Sequence, residues 1–208
     1  AIQGYLPLLR WNQFSTTSPV IGQGDLRLEL KYALLKGKTP VSISISPEFP
    51  TGRANAFANS KILVGDGIFL PTGDGEFNVW TTLAASRSFG KWYASAFGAY
   101  NYRTTYQGLA FRDLYQAGLE LGFHASDPLW FQLKGRIQER VGESIHPELG
   151  FVRGDATTFT GLNLGAWYEL NDTWGLAAEV GGNIPGLVPF RNIYVAPFYS
   201  IGATWQIK

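Results

Sequence analysis

Strict alternation of apolar and polar side chains recurs along most of this chain, and it commits the chain to β-structure. In "GDLRLELKYALLKG" (24–37), Leu26, Leu28, Leu30, Tyr32 and Leu34 fall on one parity and Asp25, Arg27, Glu29 and Lys31 on the other. A strand sends successive side chains to opposite faces, so one face is greasy and the other charged. The same pattern marks Val41–Phe49, Leu114–Ala125, Trp130–Arg140, Thr160–Leu170, Thr173–Asn183 and Ile193–Ile207. Glu76–Ser88 and Trp92–Arg103 carry apolar or small residues on both parities, and Ile2–Arg10 reads as an opening strand with Pro7 near its end. That makes about ten strands, with no comparable stretch of helical periodicity.

The connections alternate too. Gly37–Pro40, Gly90–Lys91, Ser126–Leu129 and Asn171–Asp172 are tight and rich in turn formers. Between them come long segments: Trp11–Gln23, Pro50–Gly75, Thr104–Asp113, Val141–Thr158 and Ile184–Asn192. In an up-and-down meander, alternate connections lie at the same end, so tight turns gather at one end and long loops at the other. Outer-membrane barrels have that asymmetry.

A soluble barrel would hide the leucines; a membrane barrel would show them to lipid. Charged residues make up only 16% of the chain, aromatics 15%, and the mean hydropathy is −0.04. A net charge of +1 leaves no basic excess for phosphates, which speaks against nucleic-acid binding. Without cysteine there is neither a disulfide framework nor a thiolate metal site. No run of about 18 apolar residues occurs, so a spanning helix is excluded and a spanning barrel is not. Methionine is absent even at position 1, so the chain is expected to start after a processing boundary, its signal peptide removed.

Two features decide the direction of the faces. The polar parity is rich in glycine, including Gly118, Gly122, Gly161, Gly165, Gly175, Gly181 and Gly202. Small residues suit the concave side of a curved strand and would weaken a solvated outer face. On the apolar parity, Tyr32, Phe49, Phe123, Phe131, Tyr168 and Trp174 stand near strand ends, as an interfacial girdle requires. The leucines therefore face lipid.

The lumen then receives Arg27, Glu29, Lys31, Glu48, Glu120, Lys134, Arg136, Arg140, Glu169 and Glu179. Charges in a pore select permeants, although opposite charges on neighbouring strands also fill a narrow barrel. Loop 50–75 holds two P-T-G turns and the apolar residues Ile62, Val64, Ile68 and Leu70, and is a candidate lid or plug. Its Asp66, Asp74 and Glu76 offer oxygen ligands, but their spacing matches no calcium loop, and no metal site is assigned. His124 and Ser126, with Glu139 downstream, match the order of a serine hydrolase. Parity puts the pair in the lumen at a tight-turn end, away from lipid substrates, and no catalytic residue is assigned. His146 stands alone in a loop.

An ordered set of motifs resembles one family of bacterial outer-membrane barrels. They are "GQGDLRLELKYALL" (22–35), a strand closing in "FPTG" (49–52), "KILVGDG" (61–67), "LPTGDG" (70–75) and "AYNYR" (99–103). Together they resemble the meta-pathway of phenol degradation proteins, distantly like hydrocarbon and fatty-acid channels. The resemblance covers roughly residues 20–125 and implies outer-membrane transport of small, apolar or aromatic compounds. Two departures stand out: the segment before the first strand is short, and the chain ends "ATWQIK" rather than on an aromatic residue.

The expectation is all-β: one antiparallel up-and-down transmembrane β-barrel over residues 1–208, of about ten strands, or twelve if an N-terminal hairpin is missing. Both termini are expected in the periplasm. The expected role is a non-enzymatic channel without cofactor, its partners being membrane lipid and a small-molecule permeant. A closed structural or surface-binding barrel is the alternative, and a soluble ligand-binding barrel would need the leucines turned inward.

Overall fold

A computed structural model describes residues 1–62, 67–143, 155–191, 193 and 197–205. Ten strands form its main sheet: β1 (Ile2–Tyr5), β4 (Leu26–Leu35), β5 (Val41–Phe49), β8 (Asn78–Phe89), β9 (Trp92–Arg103), β10 (Leu114–Ser126), β11 (Leu129–Arg140), β12 (Phe159–Glu169), β13 (Trp174–Asn183) and β14 (Pro197–Trp205). Every neighbouring pair is antiparallel and the spatial order follows the chain. Four short strands sit in the first two long loops: β2 (Arg10–Asn12) with β3 (Val20–Gly22), and β6 (Phe57–Asn59) with β7 (Gly67–Phe69). Among the described residues, β1 and β14 are the sheet's two edges and do not pair with each other.

The leucine parity points outward and is bare. Leu30 is 56% exposed, Leu119 67% and Ile201 90%, whereas Ser44 and Asn78 on the other parity are 5% and 2% exposed. A sheet with its apolar side chains outside and its polar side chains enclosed inverts a soluble barrel. It is the arrangement for a hydrocarbon surround. Rings frame this face at both ends. Phe89, Trp92, Phe131, Tyr168 and Trp174 lie toward the tight turns, and Tyr100, Tyr102 and Tyr115 toward the long loops. Trp92 and Phe123 are cross-strand partners with ring centroids 4.5 Å apart.

Pairing also resolves the two ambiguous segments. Trp80 pairs with Ser46 and with Asn101, which puts Asn78, Trp80 and Thr82 of β8 and Tyr93, Phe97 and Asn101 of β9 on the inward parity. Two of these rings explain Gly118 and Gly122 more directly than curvature does. A Cβ on Gly118 would stand 2.4 Å from Phe97, and one on Gly122 only 1.8 Å from Tyr93. Each ring occupies the space a Cβ would need on the glycine of the neighbouring strand.

The opening strand is shorter than its sequence implies. It ends at Tyr5, and the chain leaves the sheet at Pro7, whose carbonyl accepts the Gly24 N–H at 2.9 Å. The described part of the last strand runs Pro197–Trp205, and residues 194–196 before it lie outside the described residues. Ile207 lies outside the described residues. A bulge between His124 and Ser126 pairs Ser126 with Leu129, itself opposite Tyr168 of the outward parity. Ser126 therefore leaves the lumen parity that simple alternation assigns it.

Gly122→Ala should lower the urea midpoint of the lipid-reconstituted protein by an amount equivalent to about 1–3 kcal/mol, because the methyl group drives into the Tyr93 ring. Gly98→Ala, whose added Cβ meets nothing within 4 Å, should be neutral or slightly stabilising.

Candidate pore and its cap

The two longest loops at the front of the chain build one cap. Ala56, Ala58 and Leu70 of the second loop pack with Val20 of the first into a small core, with Phe14 against it. Main-chain bonds stitch the two loops together, Ser18 N–H to the Asn59 carbonyl at 2.9 Å and Lys61 N–H to the Thr16 carbonyl at 2.8 Å. Arg10 and Asn12 of β2 donate to the carbonyls of Thr72 and Pro71 at 3.0 and 2.6 Å. Leu70 thus packs toward the first loop, while Ile68 pairs with Ala58 in the hairpin of the second loop.

The two P-T-G turns dock glycine to glycine. A Cβ on Gly52 would stand 2.7 Å from the Gly73 Cα, so only glycine permits this approach. Asp25 locks the pair, accepting the Gly52 N–H at 2.8 Å on one carboxylate oxygen and the Asp74 N–H at 2.7 Å on the other. Thr51 and Thr72 complete the lock. Thr51 Oγ1 accepts the Leu26 N–H at 3.0 Å and donates to the Gly24 carbonyl, while Thr72 Oγ1 accepts the Arg53 N–H at 3.0 Å.

Under the cap lies a polar cavity of about 300 Å³, lined from successive strands by Arg27, Glu48, Asn78, Asn101 and Gln138 and from the cap by Asp74. One wall is a buried ion pair. Arg103 Nε donates to Glu76 Oε1 at 2.7 Å, and the guanidinium also lies 4.9 Å over the Phe111 ring. Glu76 Oε2 is buried with no hydrogen-bond partner. Burial pushes the Glu76 carboxyl up to about 7, against the pull of Arg103. Asp74 is raised as well, first by desolvation of its carboxylate, with Arg103 opposing. Three carboxylates converge at the edge of this cavity: oxygens of Asp25, Glu48 and Asp74 all lie within 4.8 Å of one another.

Below the cavity the inward wall carries an ion pair, an amide and rings. Arg136 lies 5.1 Å over Phe159, Lys134 meets Glu179 at 3.5 Å, and Asn163 donates to Glu179 at 3.0 Å. Tyr93 donates its hydroxyl to Glu120. Toward the tight turns, His124 stacks on Trp130 at 4.2 Å, Tyr93 stands 6.0 Å from Trp130, and Trp167 donates to Thr204 at 3.4 Å.

All ten charged residues expected inside lie on the inward parity of the sheet. They are not one site. Glu29 accepts from Ser46, Arg27 lies 5.7 Å over Trp80, Lys31 is exposed near its turn, Arg140 reaches Glu143 at the loop end, and Glu169 sits at the opposite end. In the candidate lid, Ile62 is exposed and Asp74 belongs to the Asp25 lock. Val64, Asp66 and His146 lie outside the described residues. Glu139 pairs opposite Tyr115, on the outward face and at the far end of β11 from His124. His124, Ser126 and Glu139 therefore form no triad.

Sequence reasoning passed over Asp25, Asn78, Asn101, Arg103 and the inward rings Tyr93, Trp130 and Trp167. Asn101 carried a signal, a lone amide between two tyrosines in "AYNYR". Asp25 had only its place at a strand start.

Asp25→Ala should free the cap. Losing two charge-assisted bonds costs about 2 kcal/mol or more, so trypsin cleavage after the exposed Arg53 and Lys61 should rise roughly 30-fold while the barrel stays heat-modifiable on gels.

No protein-family model and no curated protein matches the chain. Among solved structures, the NanC porin in its rhombohedral crystal form aligns over 99% of this chain and 98% of its own, with a TM-score of 0.60 at 10% identity. The fold is that of a porin-type antiparallel barrel.

Proposed function

We propose that the chain is a passive outer-membrane channel for a small molecule, with the two-loop cap as its lid. The observation that carries this reading is the inward wall, where side chains of both charges and a series of rings descend beneath a polar cavity. Such a wall gives a permeant successive weak contacts, favourable enough to enter and weak enough to leave. The bare apolar exterior and the likeness to a porin support the membrane setting. With tight turns toward the periplasm, both termini face the periplasm and the cap faces outside.

The permeant we infer is flat and partly apolar. Tyr93, His124, Trp130 and Trp167 offer ring faces inside the barrel, while Glu120 and Arg136 offer polar anchors. The resemblance of its motifs to those of the phenol-degradation barrels favours the same class. The closed-barrel alternative draws on the pairing of Lys134 with Glu179 and of Glu76 with Arg103, which fills interior space.

Single-channel conductance in a planar bilayer decides between them. The intact protein should conduct, and replacing residues 54–70 with a short glycine-serine linker should raise the conductance roughly twofold or more. Arg136→Glu should shift the reversal potential toward cations. Silence from intact and truncated forms, with heat-modifiable migration proving a folded barrel, would make the barrel a closed one.

A further inference from the structure

The three carboxylates at the edge of the cap cavity come from three separate places in the chain. Asp25 precedes β4, Glu48 lies near the end of β5, and Asp74 follows the second P-T-G turn. Like charges repel, so folding alone does not favour bringing them within 4.8 Å of one another. Asp25 has a structural reason to be there, the two N–H groups it accepts. Those bonds leave lone pairs free on both of its oxygens. Nearby arginines are engaged elsewhere: Arg10 with the Thr72 carbonyl, Arg27 over Trp80 and Arg103 with Glu76.

A second observation is independent of the acidic cluster. Asn78 is 2% exposed and lines the same cavity, and its amide nitrogen donates to Glu48 at 3.3 Å. That bond fixes which end of the amide is which, and the Asn78 Oδ1 is left buried with no hydrogen-bond partner. Asn101, 3% exposed on the same cavity, likewise leaves its Oδ1 unpartnered. An unpartnered buried amide oxygen in the cavity that Glu48 and Asp74 also line suits a positive ligand that takes oxygen from several directions.

We propose that Asp25, Glu48 and Asp74, with the amide oxygen of Asn78, form a calcium-type cation site that pins the cap to the rim of the barrel. Calcium binds oxygen at about 2.3–2.6 Å, so ligands on opposite sides of the ion stand roughly 5 Å apart, the spread the three carboxylates already show. An all-oxygen set of charged and neutral donors, irregular in shape, suits calcium better than the rigid octahedron of magnesium. The cavity that Glu48 and Asp74 line gives the ion a way in. The site joins the barrel strands to the second loop, and through the shared cap to the first loop. It does not depend on whether anything permeates.

The test uses the full chain, refolded in detergent free of lipopolysaccharide and stripped with EDTA, and titrated with calcium chloride by calorimetry. One saturable site per chain is expected, with a dissociation constant of roughly 10⁻³ M or tighter. Calcium should also slow trypsin cleavage after Arg53 and Lys61. Asp74→Asn and Glu48→Gln should each weaken binding about tenfold or more, with heat-modifiable migration confirming that each variant is folded. If Asp74→Asn does not fold, Glu48→Gln carries the test. No saturable binding to the folded wild-type chain, or equal affinity in the folded variants, overturns the site.

Discussion

Hydrocarbon cannot hydrogen-bond a peptide group, and in the membrane setting proposed for this bare apolar face that constraint governs everything else in the molecule. Each main-chain N–H and C=O inside a membrane must find its partner within the protein. Neighbouring strands here meet that demand through long, nearly unbroken antiparallel ladders, twelve consecutive partners between β8 and β9 and ten between β9 and β10. Once the ladder is fixed, so is the parity of each side chain. The outside then becomes leucine and aromatic, and every charge the chain needs must be placed inside or at the ends.

Enclosing charge inside a narrow wall has its own chemistry. Charges there are held by partners of several kinds: Lys134 by Glu179, Arg136 by the Phe159 face, and Glu120 by the Tyr93 hydroxyl. Rings need floor space, and glycines on the adjacent strand provide it. Gly118 and Gly122 matter less for backbone freedom than for the missing Cβ over which Phe97 and Tyr93 lie. Charge pairing, ring placement and glycine placement are thus one arrangement.

The fold was legible in the sequence because its two strongest signals are local. Period-two alternation reveals a strand from its own residues, and the tight connections are short enough to read directly, as at Gly90–Lys91 and Asn171–Asp172. Ambiguity remained where both parities were apolar or small, in β8 and β9, because only pairing with Ser46 and Asn101 reveals which side of Trp80 is inside. The cap was far less legible. Loop 50–75 was recognisable as special from its two P-T-G turns, yet its counterpart in the first loop offered no periodicity. Ser18 meets Asn59 only by tertiary contact. Asp25 reads as one more polar residue until Gly52 and Asp74 arrive beside it.

The joint cap sets a limit on how these loops can vary. Surface loops ordinarily accept insertions and drift independently, since little else depends on their backbone. Here the first two loops share main-chain bonds, a common apolar core and a glycine-to-glycine contact bound by one aspartate. A length change in either must be matched in the other if these contacts are to survive. The connection at 104–113 is drawn into the same assembly, since Asn55 of the second loop donates to the Tyr106 hydroxyl at 3.0 Å, so its length is tied to theirs as well.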